Sequence, residues 1–187
     1  AARSAGVCET VVVLGHGIDE VRATVGDDVR IAVQAEQLGT GHAVMMADEY
    51  MGLDDTIMVL CGDTPLIEAD TLEKFFAFHD EGGYAVSVLT TAVDDPRGYG
   101  RIIRDDQDRL LRIVEQKDAN DQERAVKEIN SGIYCFNGKY LKESLAKVDN
   151  NNAQGEYYLP DTIELIRKAG GLAGAYQGAT IEELMGV

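Results

Sequence analysis

With 187 residues, 45% of them apolar, the chain is the size of one domain and can bury a substantial core. Its formal charge of −16 argues against nucleic acid or an anionic membrane as a partner, because phosphate backbones are held by dense Lys and Arg. No window approaches the apolar length of a membrane span and the first residues carry no signal-peptide core. Cys8, Cys61 and Cys135 are odd in number and show no CxxC spacing. They read as reduced thiols of a cytoplasmic protein, not as a disulfide or zinc site.

Residues 10–14 form a β-branched run that ends at Gly15-His16-Gly17, which predicts a buried strand and a turn. A short helical pattern covers 18–25, and 29–33 is a second strand. The segment Gln34-Ala-Glu-Gln-Leu-Gly-Thr-Gly-His-Ala-Val44 leads into a helix over 43–51. At its start, Gly39-Thr40-Gly41 presents backbone N–H groups and the positive end of a helix dipole, which suits an anion or a polar base edge. An ordinary N-cap with flanking glycines accounts for the same residues equally well.

The stretch Met58-Val-Leu-Cys-Gly-Asp-Thr-Pro-Leu66 ends the strand over 56–61, where Pro65 forbids its continuation. Ligands of open α/β sheets sit beyond the carboxyl ends of strands, so Asp63 is placed at a site by its address. Gly62 permits close approach, and a hard carboxylate beside it suits Mg²⁺ carrying substrate phosphates. A simple strand-ending turn is the competing reading. Asp70 is expected to cap an amphipathic helix that runs to about His79.

Residues 84–93 form a long strand, and 94–98 a loop with strong turn chemistry. Residues 99–103 pair with 110–114 across the acidic turn 105–108, which reads as a solvated hairpin tip without a basic partner. A strand over 129–136 and a helix over 138–147 follow. The loop 150–158, rich in amides and glycine, is of the kind that carries function. Pro160 opens a helix over 161–169, and 172–176 is the last strand. His16, His42 and His79 lack metal-ligand spacing, and His16 and His79 read as structural or surface residues. Strands alternating with helices, with a meander inserted, predict one α/β domain of three layers around a mixed sheet.

Six stretches, 34–44, 62–66, 98–102, 115–118, 128–132 and 150–158, together resemble the N-terminal uridyltransferase domain of a bacterial family. Its members are bifunctional N-acetylglucosamine-1-phosphate uridyltransferase/glucosamine-1-phosphate acetyltransferases. The resemblance implies a Rossmann-like nucleotide-diphospho-sugar transferase fold with Mg²⁺ as cofactor and UTP and N-acetylglucosamine-1-phosphate as substrates. UMP would be transferred to give UDP-N-acetylglucosamine and pyrophosphate for cell-wall precursors. By the same resemblance, Gln34 reads the uracil edge, and Gly39 with Thr40 approaches base and ribose. Cys61, Gly62 and Asp63 form the strand-end triplet whose aspartate, the catalytic carboxylate, binds Mg²⁺. Gly100, Glu115 and Asn130 form the amino-sugar pocket, Glu115 and Asn130 offering an acceptor and a donor-acceptor pair. Tyr157 and Tyr158 belong to a loop closing over the acetamido side.

The chain departs from the family pattern at both ends. It lacks the opening strand, the glycine-rich loop of type Leu-Ala-Ala-Gly-x-Gly-Thr-Arg-Met and the Asn that follows a Gly-Val, here the terminal Gly186-Val187. The acetyltransferase β-helix, through which the family forms homotrimers, is absent too. The expectation is a partial domain over 1–187 whose missing first strand would lie between the strands 10–14 and 56–61. Alone it should be monomeric or aggregation-prone, poorly stable and nearly inactive, with the function that of the parent protein. Two other readings stand: another sugar-1-phosphate nucleotidyltransferase, and a non-catalytic sugar-nucleotide-binding domain. The lack of a Ser-His or Cys-His nucleophile fits in-line phosphoryl transfer, which needs positioning and charge neutralisation.

Overall fold

The computed structural model describes residues 1–15, 18–26 and 28–185; His16, Gly17, Gly186 and Val187, read above as part of a turn and as the chain end, lie outside the described residues. In chain order the elements are β1 (Val11–Leu14), α1 (Ile18–Thr24), β2 (Arg30–Val33), α2 (Thr40–Met45), β3 (Thr56–Val59) and α3 (Ala69–Glu81). Then come β4 (Val86–Ala92), β5 (Arg101–Arg104), β6 (Leu110–Val114), α4 (Asp121–Arg124), β7 (Glu128–Asn137), α5 (Gly138–Leu145), α6 (Asp161–Lys168) and β8 (Ala173–Gln177).

β7 is the spine of the molecule. It runs antiparallel to β4 on one edge, while β5 takes the start of its other edge and β3 the end. β8 adds to β4 in parallel and β6 to β5 antiparallel, so the sheet is mixed, as expected. Alternation along β7 sends Tyr134 and Phe136 into a core shared with Leu141, Leu145, Ile163 and Ile166 of α5 and α6. Ile133 and Cys135 point the other way, into a core with Leu72 and Phe75 of α3. Both faces of the sheet are thus covered by helices, which explains why β4 is buried along nearly its whole length although it carries Ser87, Thr90 and Thr91. β1 and β2 form a separate parallel pair, and among the described residues β1 and β3 do not hydrogen-bond to each other. Of the described residues, no helix is long and apolar enough to cross a membrane.

The register of β4 against β7 shifts between Val88 and Thr90. There β7 carries extra residues: Gly132 has φ +79°, the Ser131 hydroxyl donates to the Leu89 carbonyl at 2.6 Å and the Ile133 N–H donates to Ser131 Oγ at 3.0 Å. Such a bulge re-aims neighbouring side chains, and this one lies between Asn130 and Tyr134.

Several expectations are corrected. Asp70 does not cap α3: Glu68 holds the N-cap position, and Asp70 pairs with Lys74 at 2.6 Å instead. The start of α3 is tied from far along the chain, because Glu183 accepts from the Thr71 hydroxyl at 2.6 Å and from the Glu68 N–H at 3.4 Å. The helix expected over 43–51 begins at Thr40, stops after Met45 and resumes as a 3-10 turn, Asp48–Tyr50. Pro160 is the N-cap of α6. The acidic turn 105–108 does have basic partners: Arg109 pairs with Asp105 at 2.7 Å and Arg104 approaches Asp108 at 3.7 Å. His79 is structural, buried with its Nδ1 2.9 Å from Ser87 Oγ, and the three cysteines are free.

Candidate active site

β3 leaves the core at Cys61, and the chain turns at once, the Thr64 hydroxyl donating to the Cys61 carbonyl at 3.0 Å. The turn exposes Gly62 and Asp63, and a Cβ added at Gly62 would meet nothing within 4 Å. Among the described residues, the Asp63 carboxylate makes no hydrogen bond and no ion pair. The Cys61 thiol packs against the bulge of β7, with Sγ 3.4 Å from the Gly132 carbonyl. Burial raises its pKa to about 11, and the Asp63 charge adds to the effect, so it is a neutral packing group. The triplet thus joins the bulge that aims Asn130.

Gly100, Glu115 and Asn130 lie together. The Asn130 N–H donates to the Gly100 carbonyl at 2.9 Å. A Cβ built on Gly100 would lie 2.9 Å from Glu115 Oε1, 3.0 Å from Ile113 Cγ2 and 3.4 Å from Asn130 Cβ. Only glycine leaves that space open. Asn130 corrects the reading of it as a donor-acceptor pair, because its Oδ1 already accepts from the Gly132 N–H at 2.9 Å and from the Tyr134 hydroxyl at 3.0 Å. With both lone pairs engaged, the amide has only its Nδ2 hydrogens to offer. Tyr134, not singled out from the sequence, therefore fixes which end of Asn130 faces the cleft. Its signal was available in the even spacing of 130 and 134 along one strand.

Glu115 is half-buried, its carboxylate makes no hydrogen bond among the described residues, and its pKa is raised, chiefly by burial and then by Asp118 and Asp161. Arg101 opposes that shift. The Arg101 guanidinium is almost wholly buried, donates to the Tyr99 carbonyl and to Gln116 Oε1, and leaves its Nε without a partner among the described residues. It stabilises the Glu115 carboxylate as a nearby charge, not as an ion-pair partner.

On the other side of the cleft, Gln34 Nε2 donates to the Gly39 carbonyl at 3.1 Å and lies 3.1 Å from His42 Nδ1. A carbonyl partner requires the NH₂ end there, so Oε1 is left to accept from a base. Gly39 has φ +109° and is the N-cap of α2, where any Cβ would sit 2.7 Å from the Tyr157 carbonyl oxygen. The expected free N–H groups are reduced by one, since Gly41 N–H donates to that same oxygen at 2.7 Å. Thr40 Oγ1 accepts from the Leu159 N–H at 3.1 Å, and the Tyr157 ring lies 6.2 Å from that of His42. The 150–158 loop thus lies directly on the Gly39-Thr40 corner.

Asp161, at the first position of α6, is pushed up to about 6 by burial and then by Asp149, Asp118 and Glu164. A carboxylate with a raised folded-state pKa contributes stability that is fully present below its unfolded pKa, 3.8, and lost as pH rises through about 6. Asp161→Asn removes that loss. Discounted for partial exposure and for the lost helix-dipole interaction, the variant should gain about 1–2 kcal/mol at pH 8 and almost nothing at pH 4. Urea unfolding at both pH values checks this, and a gain of equal size at both would contradict it.

Comparison with known proteins fits this arrangement. Residues 15–180 match the nucleotidyl transferase family model. The chain is 58% identical over 186 residues to a protein of Clostridioides difficile (strain 630) named bifunctional protein GlmU, covering 100% of this chain and 40% of that one. It is 52% identical to the protein of the same name from Alkaliphilus metalliredigens (strain QYMF), covering 96% and 39%. The chain therefore spans about two-fifths of the length of these relatives. Among solved structures, a UDP-glucose pyrophosphorylase complexed with UDP-glucose superimposes with a TM-score of 0.73 at 15% identity, over 98% of this chain and 80% of that one. A putative glucose-1-phosphate thymidylyltransferase from Bacillus anthracis gives 0.74 at 17% identity, over 95% and 71%. At such identities the structures establish the fold alone.

Proposed function

We propose, for a chain that belongs to the nucleotidyl transferase family, that it is the uridylyl-transferring part of an enzyme making UDP-N-acetylglucosamine from UTP and N-acetylglucosamine-1-phosphate, in the cytoplasm. The observation that carries this reading is the open space at Gly100. Among the described residues, it is bounded by a carboxylate without a hydrogen-bond partner, Glu115, and by an amide, Asn130, whose free groups are donors. A sugar hydroxyl donates to the first, and an acetamide carbonyl accepts from the second. The sugar portion of the acceptor is neutral, which suits a pocket lined by raised-pKa carboxylates.

In the transfer, an oxygen of the sugar phosphate attacks the α-phosphorus of UTP. That new P–O bond replaces the bond to the β-phosphate, and pyrophosphate leaves. The phosphate monoester is already nucleophilic, so no protein base is required, and the chain's work is positioning. Gln34 Oε1 accepts from the uracil N3–H, the Gly39-Thr40 corner seats the ribose, and Gly100, Glu115 and Asn130 hold the sugar.

Among the described residues, no three His, Cys, Asp or Glu side chains are grouped to cage a metal. A lone exposed carboxylate beside an open glycine fits Mg²⁺, which keeps several waters and is usually bound through one or two carboxylates plus substrate phosphates. Asp63 would hold the ion, which supplies charge neutralisation at the phosphates when bound. The reading is tested by pyrophosphate release from UTP and N-acetylglucosamine-1-phosphate by the intact gene product, with and without a chelator. Release that needs the divalent ion and both substrates is expected. None, or release indifferent to the sugar phosphate, would contradict it.

A further inference from the structure

The 152–158 loop is gripped from two sides. Towards the nucleotide side, its Tyr157 N–H donates to the Leu38 carbonyl at 2.8 Å, and the Tyr157 carbonyl accepts from Gly41 N–H at 2.7 Å. Towards the acceptor side the grip is Asp118, with its neighbour Lys117 beside it. Asp118 Oδ1 accepts from the Ala153 N–H at 3.0 Å, and its Oδ2 lies 3.5 Å from the Tyr158 hydroxyl. The neighbouring Lys117 ammonium donates to Gln154 Oε1. Asp118 is fixed relative to the pocket, because its own N–H and that of Ala119 both donate to the Glu115 carbonyl at 3.0 Å. Inside the loop, Asn152 Oδ1 accepts from the N–H groups of Gln154 and Glu156, both at 3.2 Å, so these residues are tied to one another.

We propose that Asp118 is a positioning residue for the acceptor sugar: it clasps the 152–158 loop to the Glu115 turn and so sets the wall of the acceptor pocket, without touching substrate. The proposal rests on the function given above. A negative charge next to Glu115 and Asp161 raises the pKa of both, so charge alone is a poor reason for an aspartate here. Its two carboxylate oxygens, each directed at the loop, are the better reason.

The test compares Asp118→Ala and Asp118→Asn with the parent, in the intact gene product. Both variants remove the charge, but Asn keeps a carbonyl oxygen for the Ala153 N–H. Asp118→Ala is expected to raise the KM for N-acetylglucosamine-1-phosphate roughly tenfold, with kcat and the KM for UTP changed less than about threefold. Asp118→Asn should stay within about threefold of the parent. Lys117→Met, an exposed change that cuts the neighbouring tie to Gln154, should raise the acceptor KM about fivefold and carries the test if Asp118→Ala does not fold. An unchanged acceptor KM in Asp118→Ala, equal effects of Ala and Asn, or KM changes shared by both substrates would overturn the clasp. No turnover by the parent with this acceptor would instead overturn the functional reading, and the clasp's role with it.

Discussion

Asp63→Ala should lower turnover by about two to four orders of magnitude while leaving stability within about 0.5 kcal/mol of the parent. The two halves of that expectation come from the same geometry. The carboxylate is exposed at the end of β3 and has no partner among the described residues, so folding gains nothing from it. Charge stabilisation at transferring phosphates is worth several kcal/mol, so if Asp63 holds the ion as proposed, turnover should fall without it. Turnover measured beside urea unfolding separates the two. A variant that unfolds more easily in proportion to its lost activity would give Asp63 a structural role. A variant with undiminished turnover would remove it from the site.

Gly39→Ala should act on stability and binding together. At φ +109° an L side chain is strained, and its Cβ would sit 2.7 Å from the Tyr157 carbonyl oxygen, 2.9 Å from the Tyr157 nitrogen and 2.9 Å from Glu156 Cβ. Two of those neighbours are backbone atoms and cannot turn aside. Strain and forced displacement together should cost about 2–4 kcal/mol. Because Gly41 N–H and Thr40 Oγ1 lose their loop partners in the same shift, the KM for UTP should rise at least about tenfold. Denaturant midpoints and substrate titration check both. Parent-like values in either would mean the loop does not lie on this corner.

The layered fold was legible in the sequence because buried strands and amphipathic helices differ in period, and β4 and the 133–136 half of β7 are buried on both faces. Asp63 was legible from its address at a strand end, and Glu115 and Asn130 from a pattern of stretches in order. What escaped were features set by how the chain folds back on itself, near or far in sequence. The start of α3 is tied by Glu183, 112 residues beyond Thr71, so Asp70 passed for a cap on local grounds. Tyr134 looked like another apolar strand residue until the bulge at Ser131-Gly132 brought its hydroxyl to Asn130. Arg101 sits in the 98–102 stretch, where Gly100 alone was singled out, yet it is the buried cation beside Glu115. The basic partners of the 105–108 turn escaped although Arg104 and Arg109 flank it, because charge balance depends on how a hairpin tip folds back.

The most direct measurement is a competition in one vessel: the intact gene product with UTP, Mg²⁺ and equal amounts of N-acetylglucosamine-1-phosphate and glucose-1-phosphate, the two sugar nucleotides then quantified. If the Asn130 amide reads an acetamide, UDP-N-acetylglucosamine should predominate by at least about a hundredfold, and Asn130→Ala should erase most of that ratio. Equal products, or an excess of UDP-glucose, would contradict the assignment of the pocket.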